Sequence, residues 1–108
     1  MSKKNQKAQQ RVEEIKKELL TIGPMRPGKL SPQKRKNKEG EYYGSYWQIS
    51  YTYAGKSHSH YVPEELVAQV KKQTDEYRRF KELTDEWIKL ELLLAQFNLD
   101  QAKLRMKN

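Results

Sequence analysis

No cysteine occurs in the 108 residues. Disulfides, cysteine-based zinc sites and thiol redox chemistry are thereby excluded. No apolar run approaches the roughly 18–20 residues of a membrane span. The first 30 residues also lack the apolar stretch of a signal peptide. The expectation is a cytoplasmic protein. Hydrophobic residues are scarce, at 35% against 33% charged. That balance is poor for a thick core and suits long amphipathic helices beside a small sheet. The length predicts a single domain over residues 1–108. A chain of this size buries a modest share of its surface, so pairing of two copies is an expected source of further burial.

The usual signatures of catalysis are missing too. There is no Gly-rich phosphate loop, no nucleophile elbow and no Ser/His/Asp set. Glu39 and Glu41 lie in an irregular segment, and Asp85 with Glu86 falls on a solvated helix face. No enzyme and no cofactor is expected. His58 and His60 share one face of a predicted strand, yet no carboxylate pair nearby completes a set of three or four ligands. No metal site is expected.

What the chain does have is positive charge, unevenly placed. The formal net charge is +8. Residues 1–62 hold thirteen Lys or Arg against five acids, and residues 63–108 hold nine against nine. The excess therefore sits wholly in the front half. This favours a polyanion partner there and a structural role for the back half; solubility alone is the plainer reading. The densest stretch is "MRPGKLSPQKRKNKEG", residues 25–40, with Arg26, Lys29, Lys34, Arg35, Lys36 and Lys38 against Glu39 alone. With Pro27, Gly28, Pro32, Gly40 and Gly44, it predicts a basic loop over 25–44. Loops of that length tend to be binding elements or disordered.

On either side of the loop the pattern is regular. Residues 1–5 are expected to be a disordered tail. Ala8, Val12, Ile15, Leu19 and Ile22 step at helical period and predict a helix over 6–22, with Glu13–Lys17 as an i,i+4 pair and Gly23-Pro24 as the stop. In "SYWQISYTYAGKSHSHYV", Trp47, Ile49, Tyr51 and Tyr53 alternate with polar residues, which predicts a β-hairpin over 45–62. A two-residue loop at Ala54-Gly55 sets Tyr51 opposite His58, Ile49 opposite His60 and Trp47 opposite Val62. Ala54 is a poor type I′ residue, so a type I turn with a bulge at Gly55 is expected.

Residues 63–106 predict a long helix opened by Pro63, Glu64 and Glu65, with no Gly or Pro beyond Pro63. Leu66, Val70, Tyr77 and Phe80 form one seam. Leu83, Trp87, Leu90, Leu94, Phe97 and Leu104 continue it. Ile88, Leu92, Leu93 and Leu99 are read as broadening the same face. An apolar face of that extent predicts a partner helix, and a coiled-coil-like homodimer through Tyr77, Phe80, Trp87, Leu90, Leu94 and Phe97 is expected.

The aromatic hairpin bears on function. Trp47, Ile49 and Tyr51 are read as packing onto the helices, while Tyr42, Tyr43 and Tyr46 are freer to bind. A β-ribbon can enter a groove and aromatics can stack on unpaired bases. Lys and Arg neutralise phosphates with salt-sensitive, mostly sequence-independent affinity. The candidate nucleic-acid contacts are Arg26, Lys29, Lys34, Arg35, Lys36, Lys38, Tyr43, Tyr46, Lys56, His58 and His60.

Residues 12–92 also resemble an uncharacterised family of short basic bacterial proteins met near mobile genetic elements. Gly23-Pro24, Arg26, Gly28, Leu30, Tyr43, Trp47, Gly55, Lys56, Val62 and Pro63 carry the resemblance. It implies a nucleic-acid-linked context. Family members carry a Cys-rich, zinc-knuckle-like insert where this chain has "QKRKNKEGEYYGSY", and an Arg-rich second strand where it has "SHSHY". No zinc-dependent step is therefore implied here; the comparison implies instead a flexible cationic strand that orders only on its ligand.

Together these observations predict an α+β, mostly α, chain: N-terminal helix, basic loop, β-hairpin and long C-terminal helix. The leading expectation is a dimeric, non-enzymatic accessory protein that binds DNA or RNA. The alternative is an adaptor that docks through its apolar helix onto a larger nucleoprotein enzyme, a transposase or RNA-guided nuclease, and enhances or inhibits it.

Overall fold

The computed structural model describes residues 3–107. Helix α1 (Lys3–Leu19) is followed by three strands, β1 (Lys29–Lys36), β2 (Tyr42–Tyr53) and β3 (Lys56–Val62). A single 3₁₀ turn (Glu64–Leu66) then leads into helix α2 (Val67–Lys107). This is the expected α+β, mostly α, architecture. Among the described residues no helix is long and apolar enough to cross a membrane. The chain divides into two compact units, one of residues 23–78 and one of residues 1–22 with 79–108.

In the first unit the sheet is antiparallel, in the order β1-β2-β3. The hairpin register is the expected one: Trp47 faces Val62, Ile49 faces His60 and Tyr51 faces His58. The turn differs from expectation. Ala54 takes φ 53° and Gly55 φ 78°, both left-handed. That is the signature of a type I′ loop, whose twist matches the flanking strands. The strand pairing imposes it on Ala54 despite a cost of about 1–2 kcal/mol for an L residue.

The basic segment is a second correction. It is not a loop over 25–44: residues 29–36 pair along β2 from Lys29 with Ser50 to Lys36 with Tyr42. The segment expected to be a flexible strand is thus paired along its length with β2. β1 lies at the sheet edge, which is why Pro32 fits although it lacks an N–H for the ladder. Asn37 closes the β1–β2 turn. Its Oδ1 accepts from the backbone N–H of Glu39 and of Glu41, both at 2.9 Å.

Alternation puts Leu30, Trp47, Ile49 and Val62 on one sheet face, and the first turns of α2 cover it. Ile49, Val62 and Val70 are buried, with Leu30, Trp47 and Val67 packed against them. Burying a side chain such as Ile49 contributes about 1.5–3 kcal/mol. Gly28 admits the chain to this core. Its φ is +135°, and a Cβ there would lie 2.9 Å from both Ile49 Cδ1 and the Ser50 carbonyl oxygen. Arg26 N donates to the Gln73 carbonyl at 3.1 Å and Gly23 N to Glu76 Oε2 at 3.0 Å, tying the segment before β1 to α2.

In the helical unit α1 begins earlier and ends sooner than the predicted 6–22. Residues 3–5, expected in a disordered tail, are helical, while residues 1 and 2 lie outside the described residues. Val12 and Ile15 are buried on α1, as is Leu83 on α2. The predicted Glu13–Lys17 pair is replaced by Glu13 with Lys16, at 3.3 Å. Thr21 accepts from Arg79 Nη2 at 2.8 Å, and Arg11 grips Glu86 through Nε at 2.6 Å and Nη2 at 2.9 Å. Residue numbers fall on one helix as they rise on the other, so the two run antiparallel. The bidentate guanidinium holds the Glu86 carboxyl below its ordinary range. Arg11 is raised in turn, first by Glu86 and then by Glu14.

Candidate nucleic-acid interface

β3 pairs with β2 only as far as Trp47, whereas β1 follows β2 to Tyr42. Residues 33–46 therefore form a two-stranded arm beyond the third strand. It extends about 15 Å at the usual rise per residue. Every side chain of residues 34–45 is exposed. The arm carries Lys34, Arg35 and Lys36 on β1, Lys38 in the turn, and Tyr42, Tyr43 and Tyr46 on β2.

A register irregularity between Arg35 and Lys36 gives β2 one extra residue. Because side chains alternate with period two, the extra residue switches Tyr42 to the face of Lys34 and Lys36. The two ammonium groups lie 5.3 and 5.0 Å from the Tyr42 ring centroid. On the opposite face Arg35 lies across Gly44, its guanidinium carbon 5.2 Å from the Tyr46 ring centroid. Tyr46 in turn sits 6.3 Å from Tyr61. Both faces of the arm thus present cations held against phenol rings. Cation–π contacts at exposed sites contribute about 0.5–1 kcal/mol. They restrain long side chains and leave their N–H groups open to an anion. Tyr43, beside the irregularity, is 64% exposed.

The remaining predicted contacts lie elsewhere. Arg26, Tyr51, His58 and His60 gather at the other end of β2, roughly 30 Å from Tyr42 along the strand. The Arg26 guanidinium carbon is 5.5 Å from the Tyr51 ring centroid. His58 stacks on the same ring at 4.9 Å, and His60 Nε2 lies 3.4 Å from the Tyr51 hydroxyl. Arg26, Met25, Pro27, Tyr51, Tyr53 and Gln73 line a shallow cavity of about 360 Å³. Lys56 pairs with Tyr53 at the hairpin turn and Lys29 with Ser50 at the start of β1. The single surface expected from the sequence is therefore two: an arm with four cations, and a Tyr51-centred cluster. Tyr42, read from the sequence as free to bind but not among the candidate contacts, organises the first. Only the irregularity reveals its role, and nothing in the residue pattern marks that.

The predicted partner-facing residues also divide. Tyr77 belongs to the sheet unit, whereas Phe80, Trp87, Leu90, Leu94 and Phe97 belong to the helical unit. All six are half-buried. Lys16 of α1 lies over Trp87, 5.6 Å from the ring centroid, so this part of the seam faces the chain's own α1.

Residues 4–72 match the family model described as a domain of unknown function, DUF6788. The chain belongs to the DUF6788 family. The match takes in α1, the whole sheet and the start of α2, so the arm and the Tyr51 cluster are both inside it. No curated protein and no solved structure matches the chain.

Proposed function

We propose that this DUF6788 protein is a dimeric, non-enzymatic nucleic-acid-binding accessory protein of the cytoplasm, whose β1–β2 arm grips the phosphate backbone. The observation that carries the reading is the arm itself. Four cations and three tyrosines occupy fourteen residues beyond the third strand, with Glu39 and Glu41 the acids among them. A paired ribbon of this width matches the dimensions that enter a duplex groove. Its exposed rings offer stacking surfaces to unpaired bases. A setting among transposable DNA, or the nucleoprotein enzymes that act on it, is part of the same proposal and draws on the sequence resemblance alone.

The test replaces Lys34, Arg35, Lys36 and Lys38 with Ala and follows labelled duplex and single-stranded DNA and RNA by fluorescence anisotropy. With a salt slope of about 0.9 per neutralised phosphate, four lost contacts flatten the duplex slope by about 3.6 log units per log unit of salt. Unchanged affinity and slope reject the arm. The adaptor reading draws on the apolar residues exposed on α2. It predicts no measurable affinity of the wild type for any nucleic acid, even at low salt.

A further inference from the structure

Helix α2 carries two apolar seams, not one broadened face. Leu83, Trp87, Leu90, Leu94 and Phe97 step by four, three, four and three, and this seam is buried or half-buried along α1. Ile88, Leu92, Ala95, Leu99, Ala102 and Met106 step by four, three, four, three and four. At about 100° per residue the second series falls on roughly the opposite side of the helix. Exposure separates them as far as Phe97; beyond it Leu104, which continues the first seam, is 57% exposed, and Ala102 of the second is half-buried. Ile88 is 59% exposed, Leu92 66%, Leu99 58% and Met106 85%. The second seam lies entirely within the helical unit and runs about 28 Å.

We infer that this second seam is where two copies of the chain pair, with their α2 helices antiparallel. Sustained four-three spacing is the pattern that keeps one stripe facing a partner helix, so the seam suits a helix built on the same repeat. A second copy supplies it. Antiparallel alignment centred on Phe97 sets Ile88 against the second copy's Met106, Leu92 against its Ala102 and Ala95 against its Leu99. Each alanine then meets a leucine. A parallel alignment would instead stack Ala95 on Ala95 and Ala102 on Ala102, leaving gaps that cost packing. Flanking charges agree in part. Glu91 meets the second copy's Arg105 twice over, and Lys89 meets the second copy's Lys103 twice over, so the charges balance and the packing of alanine on leucine sets the alignment. At the centre Gln96 and Asn98 each meet their own kind, with no charge. A parallel pair brings no opposite charges together across these positions.

This inference rests on the dimeric part of the proposed function alone. Its assays contain no nucleic acid, so failure of the seam and failure of the arm are told apart. Sedimentation equilibrium of the wild type is expected to give a dimer. Leu92→Glu and Leu99→Glu are each expected to give a monomer with unchanged helical circular dichroism, because both side chains are exposed within one copy. A wild type that stays monomeric at all concentrations overturns the proposal, as does a dimer that survives both substitutions. Direction is read by cross-linking, since the chain has no cysteine of its own. Ile88→Cys and Met106→Cys proteins are oxidised apart and then mixed. A disulfide dimer formed only in the mixture supports antiparallel pairing. Efficient self-cross-linking of each protein alone overturns it.

Discussion

Replacing Gly28 with Ala tests how the arm is anchored to the core. The residue has φ +135°, a conformation L side chains rarely adopt. The added methyl would sit 2.9 Å from Ile49 Cδ1, 3.1 Å from Ile49 Cγ1 and 2.9 Å from the Ser50 carbonyl oxygen. Ile49 is wholly buried at the centre of β2, and the oxygen belongs to the backbone, so neither yields cheaply. The strained backbone contributes about 1–3 kcal/mol and forced repacking of the core about 1–3 kcal/mol. A loss of about 2–6 kcal/mol follows, a large share of the 5–15 kcal/mol typical of a whole domain. The chain provides a local reporter. Trp47 lies in the sheet unit and Trp87 in the helical unit, so a Trp87→Phe background leaves fluorescence that reads the sheet alone. Thermal melts of Gly28→Ala in that background are expected to fall by at least about 10 °C. Gly44→Ala is the control. A Cβ there meets only Arg35 Cδ at 3.9 Å, ordinary contact, and its melt should match the wild type or rise slightly. If Gly28→Ala melts within a degree or two of Gly44→Ala, the close approach at Ile49 is not what fixes the arm.

Other consequences follow from single residues. Ala54→Asn is expected to raise sheet stability by about 0.5–1 kcal/mol in urea melts, because Asn tolerates the left-handed conformation better. Ile15→Ala should cost about 2–5 kcal/mol, read by Trp87 fluorescence, since the side chain is wholly buried between the helices. For Glu86 the folded carboxyl titrates below its unfolded value, so its contribution is complete above the ordinary glutamate range. That contribution is lost as pH falls through the lowered folded value. Helical melts from about pH 7 to about pH 3 should show this acid limb, and Glu86→Gln should flatten it.

The two helices were legible in the sequence because a stripe at period 3.6 needs no tertiary partner to be seen. The hairpin register was legible because a two-residue loop fixes every pair behind it. β1 was not, since Lys, Gln and Pro give it no apolar alternation. It is a strand because β2 offers an edge, which is a property of the partner rather than of the segment. The same holds for Ala54, whose own preference loses to the pairing of seven residues on either side. On α2 the letters were right and the grouping was not. Ile88 and Leu92 were read as widening the Trp87–Leu90 face, although a step of one or two residues turns a helix by about 100° or 200°. Within the site, the cations were legible as composition. Their division between an arm and a distant tyrosine was not, because it depends on where β3 stops.

The exposed edge of β1 has one more consequence. An open strand edge is a template on which another chain can add, and Lys and Pro along it are what discourage that addition. Pro32, Lys34 and Lys36 stand on the β1 edge. The two lysine charges and the missing N–H of Pro32 therefore keep the sheet from growing, and the charges also serve any ligand. Stripping them to Ala removes both effects at once, and a bound polyanion that screens them lifts the same safeguard. Light scattering recorded beside each binding curve would tell loss of affinity from loss of protein to aggregates. Charge reversal to Glu, which keeps the edge repulsive, is the substitution that separates the two roles.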